Sequence, residues 1–169
     1  SLLISLLRHA DRVKIACLAQ LVNVIAPIRS EPGGPAWRQT TFHPFALTSR
    51  HGRGTVLRVE PTGPSYDTAW LGEVPVADAT AVYDEESGSV TLFAVNRDQR
   101  ESVVLDVDLR AFPRLAVGEH VAVYDDDPDA YNSADQPDRV SPTRQADLKV
   151  ADGRVSAVLP ALSWNMLRL

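Results

Sequence analysis

Residues 13–28, VKIACLAQLVNVIAPI, carry apolar side chains at both even and odd positions. In a half-exposed strand apolar and polar residues alternate, because successive side chains point to opposite faces. A run that is apolar at both parities is the pattern of a strand covered on both faces, as in a parallel sheet flanked by helices. Such a strand needs parallel neighbours, and those come from strand–helix repeats. Only one such unit is legible. Leu2, Leu3, Leu6, Leu7 and Ala10 share a helical face, so residues 1–10 read as the end of a helix. After the run, Glu31-Pro32-Gly33-Gly34-Pro35 is a loop. Phe42, Phe45, Ala46 and Ser49 then recur at helical spacing, with Pro44 in the first turn, where its missing N–H costs little, and Gly52 placed to end the helix. Residues 1–52 therefore read as the last helix–strand–helix fragment of a larger α/β body, and the chain as a C-terminal piece.

From Arg53 onward the texture changes. Segments near 55–60, 76–83, 90–95, 103–107, 120–124, 148–150, 155–159 and 163–169 are short, rich in Val, Thr and Tyr, and separated by turn residues. Glu86-Ser87-Gly88-Ser89 is a hairpin signal between two of them. Regular short strands of this kind predict an antiparallel sandwich or barrel over residues 53–169. A formal net charge of -5 and the lack of a basic stripe argue against nucleic acid as a partner. No apolar run approaches the ~18 residues of a membrane span, and the start does not read as a signal peptide. Cys17 is the single cysteine, which excludes a disulfide framework and a cysteine zinc site and fits a cytoplasmic protein, as it would a disulfide-free secreted enzyme.

The residues also carry a resemblance. ADRVKIACLAQLVNVIAPI (10–28), EPGGPAWRQTTFHPFALTSRHGRG (31–54), DATAVYDEESGSVTLFAVNRD (78–98) and LPALSWNMLRL (159–169) resemble, in the same order, the C-terminal third of α-L-arabinofuranosidases of glycoside hydrolase family 51. The resemblance implies a mainly β fold: a jelly-roll-like antiparallel β-sandwich preceded by the last α/β unit of a (β/α)8, or TIM, barrel. Residues 13–28 would be the eighth barrel strand with its loop, and 42–50 the eighth helix. It implies hydrolysis of terminal arabinofuranosyl groups with retention, which needs two carboxyl groups ~5–5.5 Å apart. Both family glutamates lie on barrel strands upstream of this chain, so the chain alone is expected to be inactive. No cofactor or metal is implied. The partners implied are an arabinose-containing oligosaccharide or polysaccharide and further copies of the chain, since members commonly form hexamers. The family sandwich also takes one strand from ahead of the barrel, so an open edge is expected here.

Gln20 falls near the C-terminal end of the proposed eighth strand, where barrel enzymes build their sites. By resemblance it matches a glutamine that hydrogen-bonds the sugar next to the scissile bond. An amide offers a donor and an acceptor there without adding charge. Asn23 lies on the same rim, and Glu31 and Trp37 occupy the following loop, where they could line the cleft; the alternative role is satisfying loop backbone for Gln20 and Asn23, and loop anchoring or subunit contact for Glu31 and Trp37. Asp125, Asp126, Asp127 and Asp129 begin like a calcium loop, but Ala130 and Gln136 stand where Gly and Glu are needed. His9, His43, His51 and His120 have no metal spacing and read as surface or packing residues. Glu85 and Glu86 are adjacent in a turn and make a poor catalytic pair. Trp164 reads as core, Trp70 as an exposed indole, and Cys17 as a small core residue. Two rival functions remain: a stand-alone carbohydrate-binding sandwich, which predicts a row of exposed aromatics on one sheet face, and a structural or oligomerisation domain, which predicts a large apolar patch.

Overall fold

The computed structural model describes residues 1–112, 115 and 118–169. Two short helices, α1 (Leu2–Arg8) and α2 (Phe42–His51), bracket the N-terminal part. Between them lie β1 (Ile28–Ser30) and β2 (Ala36–Arg38), a small antiparallel hairpin. The rest is strand: β3 (Thr55–Leu57), β4 (Ser65–Thr68), β5 (Gly72–Pro75), β6 (Ala77–Asp84), β7 (Ser89–Asn96), β8 (Val103–Asp108), β9 (Glu119–Val123), β10 (Thr143–Gln145), β11 (Lys149–Ala151), β12 (Arg154–Leu159) and β13 (Ser163–Arg168).

A six-stranded sheet in the order β10-β9-β13-β7-β6-β3 faces a three-stranded sheet, β11-β12-β8, and all pairings are antiparallel. Side-chain parity builds two cores. Ala79, Ala81, Val90, Leu92, Ala94 and Leu167 point between the sheets and meet Val155, Ala157 and Leu159 of β12. The opposite parity, Val82, Phe93, Val95, Val121, Trp164 and Met166, points to the other side, where Ile4, Leu7 and Leu47 of the helices close over it. The central strand β7 is therefore buried at nearly every position, whereas β8 alternates half-buried and exposed residues. The β6–β7 turn is made by Asp84, whose carboxylate accepts from the Glu86 amide at 3.0 Å and the Ser87 hydroxyl at 2.6 Å, with Gly88 at φ 70°. Gly118 admits no side chain, because a Cβ there would lie 1.5 Å from the Arg168 carbonyl oxygen.

The helices stand where the sequence places them, with Pro44 in the first turn of α2 and the Gly52 amide bonded to the Thr48 carbonyl at 2.7 Å. The two-faced strand does not. Residues 13–27 are irregular, strand begins only at Ile28, and the strand formed pairs with β2 in antiparallel fashion. Ile15 is 82% and Leu21 80% exposed, and Cys17, expected in the core, is exposed as well. The physical reason is the one that made the run informative. A parallel strand is held by neighbours on both sides, and no strand–helix repeat in this chain supplies them. The barrel unit expected before the sandwich is thus not formed here.

Helix α1 is fastened to the sheet through charge. Asp78 on β6 receives the guanidinium of Arg8, which also donates to the Ala79 carbonyl at 2.6 Å, and that of Arg97 at 2.9 Å. Burial pushes the Asp78 carboxyl up, but hydrogen bonds and charge from Arg8 and Arg97 outweigh it and hold it below the ordinary value. A carboxyl lowered by folding contributes stability that is present above its ordinary range and lost as pH falls through the lowered value. Urea midpoints followed downward from neutral pH are expected to fall through that range, and in Asp78→Asn this part of the acid dependence is expected to disappear. An unchanged pH profile in the variant would remove Asp78 from this role.

Candidate functional site

The four residues singled out for sugar contact lie on one stretch of chain, the 18–27 loop and the β1–β2 hairpin. The loop is built by its own polar groups. Asn23, at φ 63°, accepts the Ser30 amide on Oδ1 at 2.8 Å and donates from Nδ2 to the Ser30 hydroxyl at 3.2 Å. Its amide meets the Ile28 carbonyl at 2.8 Å, and the Ala26 amide meets its carbonyl at 2.8 Å. Gln39 reaches back from behind β2 and donates to the Ala26 carbonyl at 2.7 Å. Asn23 thus serves backbone in this loop, and Ala26 beneath it is fully buried.

Trp37 on β2 donates from Nε1 to the Asn132 carbonyl at 3.0 Å. The Asn132 side chain answers in the other direction. Its Nδ2 donates to the Arg38 carbonyl and to the Val140 carbonyl, both at 2.9 Å, and its Oδ1 accepts the Val140 amide at 2.7 Å. One buried amide therefore ties the hairpin to the sandwich loop 124–142. Glu31 is exposed in the hairpin turn, where its backbone bonds Pro35 and Gly34.

Gln20 lies outside these contacts. It is exposed, no side-chain hydrogen bond to it occurs among the described residues, and it stands at a largely apolar cleft of about 330 Å³ with Leu18, Pro27, Ile28, Phe42 and Phe45. The structure thus ties Asn23 and Trp37 to groups of neighbouring backbone, while the side chains of Gln20 and Glu31 make no hydrogen bond among the described residues. Asn132 was missed from sequence, because nothing local marks a residue that acts on partners 94 and 95 positions away.

The remaining candidates have structural places. Arg139 pairs with Asp127 at 2.7 Å and Asp125 at 3.4 Å, so a guanidinium stands among those carboxylates. His43 is buried edge-on against Phe42 at 5.7 Å between ring centroids, and burial first, then Arg38, push its ring below the ordinary value. Trp164 is core, stacked at a tilt on Phe93 at 5.8 Å, and Trp70 is 95% exposed at the tip of the β4–β5 hairpin. The outer face of the three-stranded sheet presents Val104, Asp106, Arg154, Ser156 and Val158, with no aromatic row. Exposed apolar residues gather instead in the irregular segment, at Ile15, Leu21, Val24 and Ile25. No helix among the described residues is long and apolar enough to cross a membrane.

Comparison with known proteins gives these features a context. The family described as α-L-arabinofuranosidase C-terminal domain matches residues 1–163. An intracellular exo-α-(1→5)-L-arabinofuranosidase of Streptomyces lividans is 55% identical over 99% of this chain and 25% of its own length. The protein of the same name from Halalkalibacterium halodurans is 48% identical over 100% of this chain and 33% of its own. Among solved structures, a family 51 α-L-arabinofuranosidase from Bifidobacterium longum superposes with a TM-score of 0.91 at 43% identity, covering 98% of this chain and 32% of that one. The chain thus spans a quarter to a third of the length of these relatives.

Proposed function

The chain belongs to the α-L-arabinofuranosidase C-terminal domain family, and on that premise we propose that it is the C-terminal part of an intracellular glycoside hydrolase that releases terminal α-L-arabinofuranosyl groups with retention of configuration. The observation that carries this reading is the exposed apolar segment 13–27, flanked by helices and rigidly continued by the β1–β2 hairpin. A strand sequence left unpaired has its partners elsewhere. In the whole enzyme residues 1–52 close the catalytic barrel, with 13–27 taken up as its last strand, and residues 53–169 form the sandwich that braces it.

Chemistry is then divided between the parts. Retaining hydrolysis needs a nucleophilic carboxylate and an acid/base carboxyl on either side of the glycosidic bond, and both come from the preceding barrel. This chain contributes Gln20, whose amide donates to one sugar hydroxyl and accepts from another beside the nucleophile without competing charge. Asn23 and Trp37 hold the rim on which Gln20 sits, and Glu31 edges the same loop, where it meets more distant parts of the glycan. The substrate class is an arabinose-containing oligosaccharide or polysaccharide, and the whole enzyme self-associates.

The sandwich is also incomplete on one side. Among the described residues strand β8 pairs with β12 alone, and beside its other edge lies a cleft of about 670 Å³ lined by Leu57, Ala79, Leu92, Leu105 and Phe112. A strand contributed from ahead of the barrel fits this place, since it would pair the free edge and fill the apolar space at once. The test is to join this chain to the barrel region of a relative and compare the joined protein with its Gln20→Ala variant. A drop in kcat/KM of roughly tenfold or more, the worth of one good hydrogen bond to a charged or reacting group, supports the role given to Gln20. Equal activity of the two would remove it.

A further inference from the structure

Residues 124–142 join β9 to β10, whose antiparallel pairing closes the loop at its base. The loop is braced from within. The Asp125 carboxylate accepts the Asp127 amide at 2.9 Å, the Asp127 carboxylate accepts the Asp129 amide at 3.0 Å, and Arg139 reaches both carboxylates. Ser133 and Gln136 close a turn, with the Ser133 amide on the Gln136 carbonyl and the Gln136 amide on the Ser133 hydroxyl, both at 3.1 Å. Val140 is buried in the core with Trp164 and Met166. Asn132, 4% exposed, stands inside this frame.

Among the described residues, every hydrogen bond that crosses from the β1–β2 hairpin to the sandwich runs through Asn132. Its side-chain orientation is fixed by its partners. The Arg38 and Val140 carbonyls only accept, so they face Nδ2, and the Val140 amide only donates, so it faces Oδ1. From β2 the hold passes on towards the chain start. Arg38 pairs with Ile28, the Ile28 carbonyl accepts the Asn23 amide at 2.8 Å, and Asn23 Oδ1 accepts the Ser30 amide at 2.8 Å. Gln39 adds two bonds, from its amide to the Pro27 carbonyl at 2.8 Å and from Nε2 to the Ala26 carbonyl at 2.7 Å. Gln20 stands three residues ahead of Asn23, at most about 10 Å of extended chain.

We infer that Asn132 is a positioning residue for the sugar-binding amide: through this one side chain the sandwich sets where Gln20 stands. The inference rests on the role given to Gln20 above and adds to it a task for the sandwich. Asn132 touches no substrate and acts through the hairpin. A hydrogen bond weakens steeply as its geometry is lost, and a misplacement of about 1 Å caused by a residue far from the chemistry can cost on the order of 100-fold in rate. A domain that only covered the barrel needs an apolar interface. A polar tie that ends beside one sugar contact is what positioning requires.

The test is a double-mutant cycle in this chain joined to the barrel region of a relative, with kcat/KM measured on a chromogenic α-L-arabinofuranoside below the Tm of every variant. Asn132→Ala is expected to lower kcat/KM about fivefold to tenfold, no more than Gln20→Ala does, and to cost less than about twofold once Gln20 is already replaced. Should Asn132→Ala fail to fold, Trp37→Phe is read in the same two backgrounds, since it keeps a ring and removes the Nε1 donor to Asn132. It is expected to show a smaller loss that also vanishes without Gln20. An undiminished kcat/KM in the variant that folds would overturn the inference. So would an equal loss with and without Gln20, because a residue that only supports folding lowers both backgrounds alike. If Gln20→Ala is itself without effect, the role of Gln20 falls and this inference with it. If Gln20→Ala loses activity and Asn132→Ala does not, the inference falls alone.

Discussion

Phe93→Ala is expected to destabilise the chain by about 3–5 kcal/mol, the range for truncating a buried aromatic. Phe93 is 1% exposed on the most enclosed strand of the molecule, and its ring lies against Trp164. It sits where the helix layer meets the sheet, in the cluster with Ile4, Val82 and Met166. Removing the ring leaves a cavity that a strand paired on both sides cannot collapse into, because its backbone is fixed by β6 and β13. Against a typical total of about 5–15 kcal/mol, this loss puts folding itself at risk near physiological temperature. Urea denaturation followed by tryptophan fluorescence reads it as a lower midpoint with an unchanged slope. A loss below about 1 kcal/mol would mean that the helix layer does not pack on this face as described.

Asn132→Ala is expected to cost on the order of 3 kcal/mol, because three backbone groups lose their partner inside the protein at roughly 1–3 kcal/mol each, with partial recovery by water. Those groups are the carbonyls of Arg38 and Val140 and the Val140 amide. The effect has a spatial signature as well as a size. Hydrogen exchange is expected to rise in the β1–β2 hairpin and around Val140 while the β6–β7 amides stay protected, since only the tie between hairpin and sandwich is cut. Asn132→Asp keeps the acceptor for the Val140 amide but sets a buried carboxylate oxygen against the Arg38 and Val140 carbonyls, so it is expected to cost at least as much as the alanine variant. Uniform loss of protection over the whole chain would show that Asn132 is an ordinary core residue and not a local strut.

How much of this was legible beforehand depends on the range of the forces involved. The sandwich strands, the two helices and the β6–β7 turn are encoded locally, by alternation, by helical spacing and by Asp84 and Gly88. All but β10 appear within a few residues of their expected places. Strand β10 and the small hairpins β1–β2 and β4–β5 escaped notice because three- and four-residue strands leave almost no periodicity to read. Residues 13–28 are the instructive failure. Their pattern reports the environment for which the sequence is suited, and a chain that cannot supply that environment leaves the same residues irregular and exposed. Gln20 was singled out through motif resemblance, while the part played by Asn132 depends on contacts between distant segments that no single stretch encodes. The prediction of a buried Cys17 failed together with the strand that was to bury it.

Segment 13–28 and Gln20 meet in one question, whether this chain is a catalytic unit or the closing part of one. The direct measurement is hydrolysis of a chromogenic α-L-arabinofuranoside by the 169-residue chain alone and by the same chain joined to the barrel region of a relative. No turnover above background is expected for the chain alone, and clear turnover is expected for the joined protein. Turnover by the chain alone, at a rate that scales with its concentration and survives repurification, would contradict it.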